Sequence, residues 1–406
     1  MGTDPVGQRS QFTGHDLPST SALGRWRNLR GHRCCTSFLS VRETTSPSSS
    51  PETQCRTWLS VDEAVSLLVH ERATLGVQVS IWTPTTGQHD LCWGTDHRLA
   101  PMTPEMLHST FCVTKPILAV GVLAALDQVG LGADTVLANV LPPKPVSLSA
   151  VTVRDLLNHN AGLRDPTGPQ YRLTPTRLRS ALLAKSSDVR LEPTYSEISS
   201  WMLLEEIITY LTGKTAAEWI DDHVLRPLGL STDITWSPQA RQDPVGVSVG
   251  GLPDSFLPML SELLQSELDE LRPAMGAATN ARGLCGWYRY LLLTISGPSR
   301  QVTLPSYVVA DALARPRART WDPALARECA FAGGFMVNLE DYGFPATLSK
   351  RSFGHVSGIV TSFALADPEF DLAIGFVCNT ATYSTRAAER FRTEVVTAVL
   401  EDLGAV

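Results

Sequence analysis

The chain has 406 residues, 43% hydrophobic and 18% charged, with a net charge of -7 and a pI near 5.7. That is ample apolar chain for a large core, and too little positive charge for a nucleic-acid-binding face, so a small-molecule partner is expected. No stretch of the sequence approaches a membrane span and the first residues lack the apolar core of a secretory signal, which predicts a cytoplasmic protein that contacts neither membrane nor nucleic acid.

Residues 1–57 are rich in Ser, Thr, Pro, Gly and Arg without helical or strand periodicity, and predict a disordered tail ahead of a catalytic domain at 58–406. Eight cysteines are scattered at Cys34, Cys35, Cys55, Cys92, Cys112, Cys285, Cys329 and Cys378. They form no C-x-x-C pair and no Cys/His cluster, so reduced thiols are expected and no metal or organic cofactor is implied.

From Leu59 the pattern becomes helical, with Ser60 as N-cap, Glu63 as its capping-box partner and Ala64, Leu67, Leu68 and Val69 at helical spacing. Residues 76–84 alternate Val77, Val79 and Ile81 with polar residues, and 89–93 reads as the hairpin partner. An apolar helix over 115–126 follows, stopped at Gly130 and Gly132. Pro142, Pro143 and Pro145 mark a loop, and Thr152 opens a short helix closed by Gly162, with Arg154 and Asp155 read as helix-surface charges. Further helices are predicted over 201–211, 216–224 and 281–293, and the stretch 237–270 is expected to shape a pocket. Strands return at 329–337, 353–364 and 370–378 before a final amphipathic helix at 385–403. Strands at both ends (58–111 and 325–406) around a mostly helical insertion (112–324) predict an α/β (α+β) fold on an antiparallel sheet, flanked by helices.

The chemistry concentrates at Phe111-Cys112-Val113-Thr114-Lys115. Cys112 and Lys115 lie three residues apart at the start of the apolar helix, hence on one face, near unpaired backbone N–H groups. A free thiol has a pKa of ~8.5, and a helix N-terminus beside an ammonium lowers it, which predicts thiolate near neutral pH. An N-terminal first turn is a poor place for a cation, which favours a site role for Lys115.

The spacing is that of S-x-x-K with cysteine in place of serine. Other blocks occur in matching order: VTVRDLLNHNAGL at 151–163, a long block from EPTYSE at 192–230, PAMGAATNARGL at 273–284, and FGHVSG with ALADPE at 353–369. Over about residues 59–404 the chain resembles the class C β-lactamase and penicillin-binding-protein-like family. The resemblance implies a β-lactamase/transpeptidase-like fold whose active site lies between the sheet and the helical region. Cys112 would match the acylated serine, Lys115 its paired base, and Tyr195 the tyrosine of Y-x-N, which assists proton transfer to the leaving group. His355 would match the first residue of the K-T-G-like triplet, as an acid/base or as a donor to a substrate carbonyl or carboxylate. The oxyanion hole would be the N–H of Cys112 with that of a residue near Ser357 or Gly358. His159 reads as structural. Three positions depart from the pattern: Cys112 for serine, Glu197 for asparagine, and Ser357 where glycine is expected. Glu197 reads as a surface carboxylate, as a partner of Lys115, or as a receiver of the amine.

A cysteine gives a thioester acyl-enzyme, which favours amines over water more than an oxygen ester does. The expected function is thus an ATP-independent transacylase, of the kind found in natural-product pathways such as antibiotic biosynthesis. It would pass an acyl group from an ester or thioester, a carrier-protein thioester included, to an amine or alcohol. The alternatives are a hydrolase (esterase, amidase or peptidase) and a catalytically dead scaffold.

Overall fold

The first strand of the chain and one of its last lie side by side, and the rest of the sheet is built outward from that pair. In the computed structural model, residues 58–141, 150–163, 165, 193–236, 248–249, 274–296, 306–358, 360–381 and 384–406 are described, all within one compact unit, Thr53–Val406. The predicted tail, the Pro142–Pro145 loop and almost all of the pocket-shaping stretch 237–270 fall outside the described residues.

The chain runs α1 (Leu59–His70), β1 (Gly76–Thr83), β2 (Gly87–Gly94), β3 (His108–Ser109), a 3-10 turn Phe111–Thr114, and α2 (Lys115–Gln128). The helical part continues with α3 (Val153–Leu157), α4 (Ser199–Thr212), α5 (Ala216–Ile220), the short strands β4 (Ile234–Thr235), β5 (Ser248–Val249) and β6 (Ala278–Thr279), then α6 (Ala281–Ser296) and α7 (Ser306–Ala314). The C-terminal part is β7 (Thr320–Asp322), β8 (Arg327–Ala332), β9 (Phe335–Val337), β10 (Phe353–Val356), β11 (Phe363–Asp367), β12 (Leu372–Cys378), β13 (Thr380–Ala381) and α8 (Thr385–Leu403). Eight strands form the main sheet in the order β2-β1-β12-β11-β10-β9-β8-β7, antiparallel throughout, as the sequence pattern predicts.

Register sorts the two faces. Val79, Phe376 and Phe363 share a row facing α1 and α8, where they pack with Val65, Leu68, Val395 and Val399. The alternate row is Ser80, Gly375, Ala364 and His355. Its small residues let α6 lie close: a Cβ on Gly375 would stand 2.2 Å from the Ala281 carbonyl oxygen. The same register puts His355 on the face that meets the helical region.

Helix α2 runs through the core of that region, with every residue from Lys115 to Leu126 buried. The stretch Phe111–Gln128 is long and apolar enough to cross a membrane, contrary to the sequence reading, but 83% of it is buried inside the protein, as in a core helix.

Four local expectations are corrected. Ser60 does not cap α1: its own backbone N–H and that of Val61 each donate to the Asp402 carboxylate at 3.0 Å, so the end of the chain caps the first helix. Residues 329–337 are a hairpin, because Gly333 and Gly334 at φ +57° and +87° turn β8 into β9. Residues 353–364 are two strands, since Ser357 N–H donates to Ser362 O and closes a turn between β10 and β11. Asp155 is no surface charge but the second half of a capping box with Thr152, while Arg154 bridges Asp134 and Asp311.

Asp402→Ala is expected to lower unfolding free energy by about 1 kcal/mol in urea titration, as for other lost helix caps, and Ser60→Ala to stay within ~0.5 kcal/mol of wild type. Equal losses would refute capping by Asp402.

Candidate active site

The turn before α2 exposes no side chain: Phe111, Cys112, Val113 and Thr114 are all buried. Phe111 adopts φ +50°, a sparsely populated conformation for a bulky residue, and the chain then enters the 3-10 turn that carries Cys112. One turn later Lys115 projects from the first residue of α2, with none of its side chain exposed. Against this turn packs the segment Tyr195-Ser196-Glu197, just before α4.

The Cys112 thiol donates a hydrogen bond to Glu197 Oε1. Lys115 Nζ stands 3.7 Å from the same oxygen. Tyr195 lies within hydrogen-bonding reach of Sγ. The ammonium also faces the Tyr195 and Trp201 rings, 5.9 and 5.5 Å from their centroids. Cys112, Lys115, Tyr195 and Glu197 are therefore one cluster, in which Glu197 is a partner of Lys115, as one of its expected readings has it.

His355 stands next to it, its ring centroid 6.4 Å from that of Tyr195. Its Nδ1 donates to Val356 O at 2.8 Å, which fixes Nε2 as a lone-pair nitrogen. Burial, then the charge of Lys115, lowers its pKa to about 3, so it is neutral at physiological pH. A neutral imidazole with Nδ1–H committed is a hydrogen-bond acceptor, and this corrects the expected donor to a substrate carboxylate. Ser357 spends its N–H on Ser362 O at 3.0 Å and its Oγ accepts from Val360 N–H at 3.3 Å. Of the two candidates for the second oxyanion donor, that leaves Gly358, where a Cβ would meet nothing within 4 Å.

Two protonation expectations change. Burial first, and then the Glu197 charge, push the Cys112 thiol up to about 12 against the pull of Lys115. Cys112 therefore rests as a thiol, not the expected thiolate. Burial works against the Lys115 ammonium, but any negative charge that develops on Cys112 and the Glu197 carboxylate more than offset it and hold its pKa above the ordinary lysine value. An ammonium cannot serve as the resting base.

Sequence reasoning missed Asp165. Its carboxylate accepts from Ser196 Oγ at 2.9 Å, from the N–H groups of Ile198 and Ser199 at 3.1 and 2.8 Å, and from that of Glu197. One side chain thus caps α4 and sets the backbone that aims Tyr195 and Glu197. The only signal was an acidic residue two positions beyond Leu163, where the block at 151–163 ends. His159 is structural, as expected: its Nδ1 accepts from Ser196 N–H at 3.0 Å, its ring packs 4.6 Å from that of Tyr195, and its carbonyl accepts from Arg317 Nη1 at 2.8 Å. Arg317 in turn forms a buried pair with Asp322 at 2.8 Å.

A sequence profile of the beta-lactamase family matches residues 61–398. The chain belongs to the beta-lactamase family. No curated protein matches the sequence. Among solved structures, a penicillin-binding protein homologue from Caulobacter crescentus is similar with TM-score 0.67 and 20% identity, over 87% of this chain and 99% of its own. A family VIII carboxylesterase gives 0.66 and 18%, over 84% and 97%. EstCE1, a hydrolase with promiscuous acyltransferase activity, gives 0.65 and 19%, over 83% and 97%. At these identities the likeness establishes the fold, a beta-lactamase-like α/β sandwich with its large antiparallel sheet.

Asp165→Ala is expected to speed amide hydrogen exchange at Glu197, Ile198 and Ser199 and to cost about 2 kcal/mol of stability, since several bonds to one charged group are lost. Unchanged exchange at these three amides would show that something else holds the segment.

Proposed function

We propose that this family member is an acyl-transfer enzyme with Cys112 as its nucleophile, taking an acyl group from an ester or thioester and passing it to an amine or alcohol. The observation that carries this reading is the contact of the Cys112 thiol with a carboxylate, an ammonium and a phenol together, at the family's nucleophile position. An inert buried cysteine has no use for a buried ammonium within reach, and burying one is costly.

The cycle has two halves. Sγ attacks the donor carbonyl, with the oxyanion held by the N–H groups of Cys112 and Gly358, and the alcohol or thiol leaves. The thioester then meets the acceptor. Because thioesters discriminate for amines, transfer outruns hydrolysis wherever an amine is bound. No step needs a metal or an organic cofactor. Water as acceptor would make the same site an esterase or amidase, and EstCE1 is a structural relative described with both activities. A carrier-protein thioester is a chemically suitable donor, and a cytoplasmic setting, with neither membrane nor nucleic acid as partner, suits a free thiol.

Intact-protein mass after mixing with a panel of esters and thioesters tests this. Wild type is expected to gain one acyl group that Cys112→Ala does not, and an amine is expected to discharge it faster than buffer alone. Discharge at one rate with and without amine would make the protein a hydrolase, and no adduct with any donor would favour a non-catalytic role. Cys112→Ser is expected to form an ester that amines discharge more slowly.

A further inference from the structure

We infer that Glu197 is the general base of this site, holding and returning the Cys112 proton in the role the family's lysine would fill. The inference rests on the acyl-transfer reading but reaches past it, to a residue type that the Y-x-N pattern lacks.

Three observations carry it. The Sγ–H proton already points at Glu197 Oε1. Lys115 Nζ is 3.7 Å from that oxygen, an ion-pair distance at which it serves as a fixed positive charge beside the carboxylate. The Glu197 side chain is 31% exposed, unlike the wholly buried Lys115, so it is the member of the cluster that also faces the acyl donor's approach.

The charged and titratable groups around Glu197 are few. The turn contributes Cys112 and α2 contributes Lys115. Its own segment contributes Tyr195, and Asp165 lies on its backbone N–H. His355 on β10 and His159 feel the Lys115 charge, and both are neutral because burial first, and then neighbouring positive charge, depress them.

The proton accounting closes without a further reactant. As the Sγ–carbon bond forms, the thiol proton passes to Oε1. As the carbon–oxygen or carbon–sulfur bond of the donor breaks, Glu197 gives that proton to the leaving atom. In the second half the amine nitrogen bonds to the carbonyl carbon and loses a proton to Glu197, then the carbon–Sγ bond breaks and the proton returns to Sγ. An alkoxide leaving group depends on that proton far more than a thiolate does.

The test reads Cys112 before any donor is added. Iodoacetamide alkylation of the Cys112 peptide is followed across pH in wild type, Glu197→Gln and Glu197→Asp. Removing the negative charge while Lys115 stays favours thiolate, so Glu197→Gln is expected to alkylate faster at pH 7, about tenfold for each unit the thiol pKa falls. Glu197→Asp keeps the charge and should stay near the wild-type rate. Single-turnover acylation then separates the roles: Glu197→Gln should lose ~100-fold or more with an alkyl ester and much less with a thioester. Wild-type alkylation and wild-type ester acylation in Glu197→Gln would overturn the inference, as would faster alkylation with ester acylation intact. If wild type forms no acyl adduct at all, the acyl-transfer reading fails by itself, and equal alkylation of the three proteins would then reject the hold of Glu197 on the thiol.

Discussion

The constraint on which the site depends is the burial of one ammonium. Lys115 has none of its side chain exposed, and taking such an ion out of water costs several kcal/mol unless a counter-charge is within reach. Glu197 supplies it at 3.7 Å, and the Tyr195 and Trp201 rings offer their negative faces as a second, weaker compensation. Glu197 then has to stay close to the ammonium, since the attraction falls with distance. Asp165 secures it by taking the backbone N–H groups of Glu197, Ile198 and Ser199, and His159 secures the residue before it through Ser196 N–H. The two supports come from the segment after α3, so the catalytic turn and its counter-charge are fixed by different parts of the chain.

Seen this way, Cys112 and Glu197 belong together. A carboxylate beside Lys115 keeps the lysine charged and removes it as a base. A thiol is intrinsically far easier to deprotonate than a hydroxyl, so a carboxylate can suffice for it. Burial and the same carboxylate raise the thiol pKa, so Cys112 rests as SH. The two departures from the Ser and Asn pattern thus meet in one hydrogen bond.

The sheet was legible from alternation at Val77, Val79 and Ile81 and from the closing strands: both faces of β1 are buried, but only the row facing α1 and α8 is aliphatic, while Gln78 and Ser80 lie on the face toward the helical region. What alternation cannot show is an interruption that costs no apolar residue. The hairpin at Gly333-Gly334 and the turn at 357–362 were read through as continuous strand for that reason. Cys112, Lys115 and Tyr195 were legible because local spacing and motif coincide. The thiol state was not, because a helix N-terminus and a lysine argue for thiolate, while the decisive influences, burial and a carboxylate 85 residues further along the chain, exist only in the folded protein. Asp165 and the Asp402 cap were hidden likewise: each is a lone carboxylate whose partners are backbone N–H groups, and backbone groups leave no mark in a sequence.

The charge inventory constrains what can enter. Lys115 and Glu197 cancel, His159 and His355 are neutral, and the Arg317 charge is spent on buried Asp322. Among the described residues, then, the reacting cluster holds no uncompensated cation. An anionic group drawn into it would trade hydration for nothing, whereas an uncharged acyl chain loses only water contacts it is better without. His355 carries the same argument further, since with Nδ1–H bound to Val356 O it presents only a lone pair. A lone pair recognises N–H or O–H and repels a carbonyl or carboxylate oxygen.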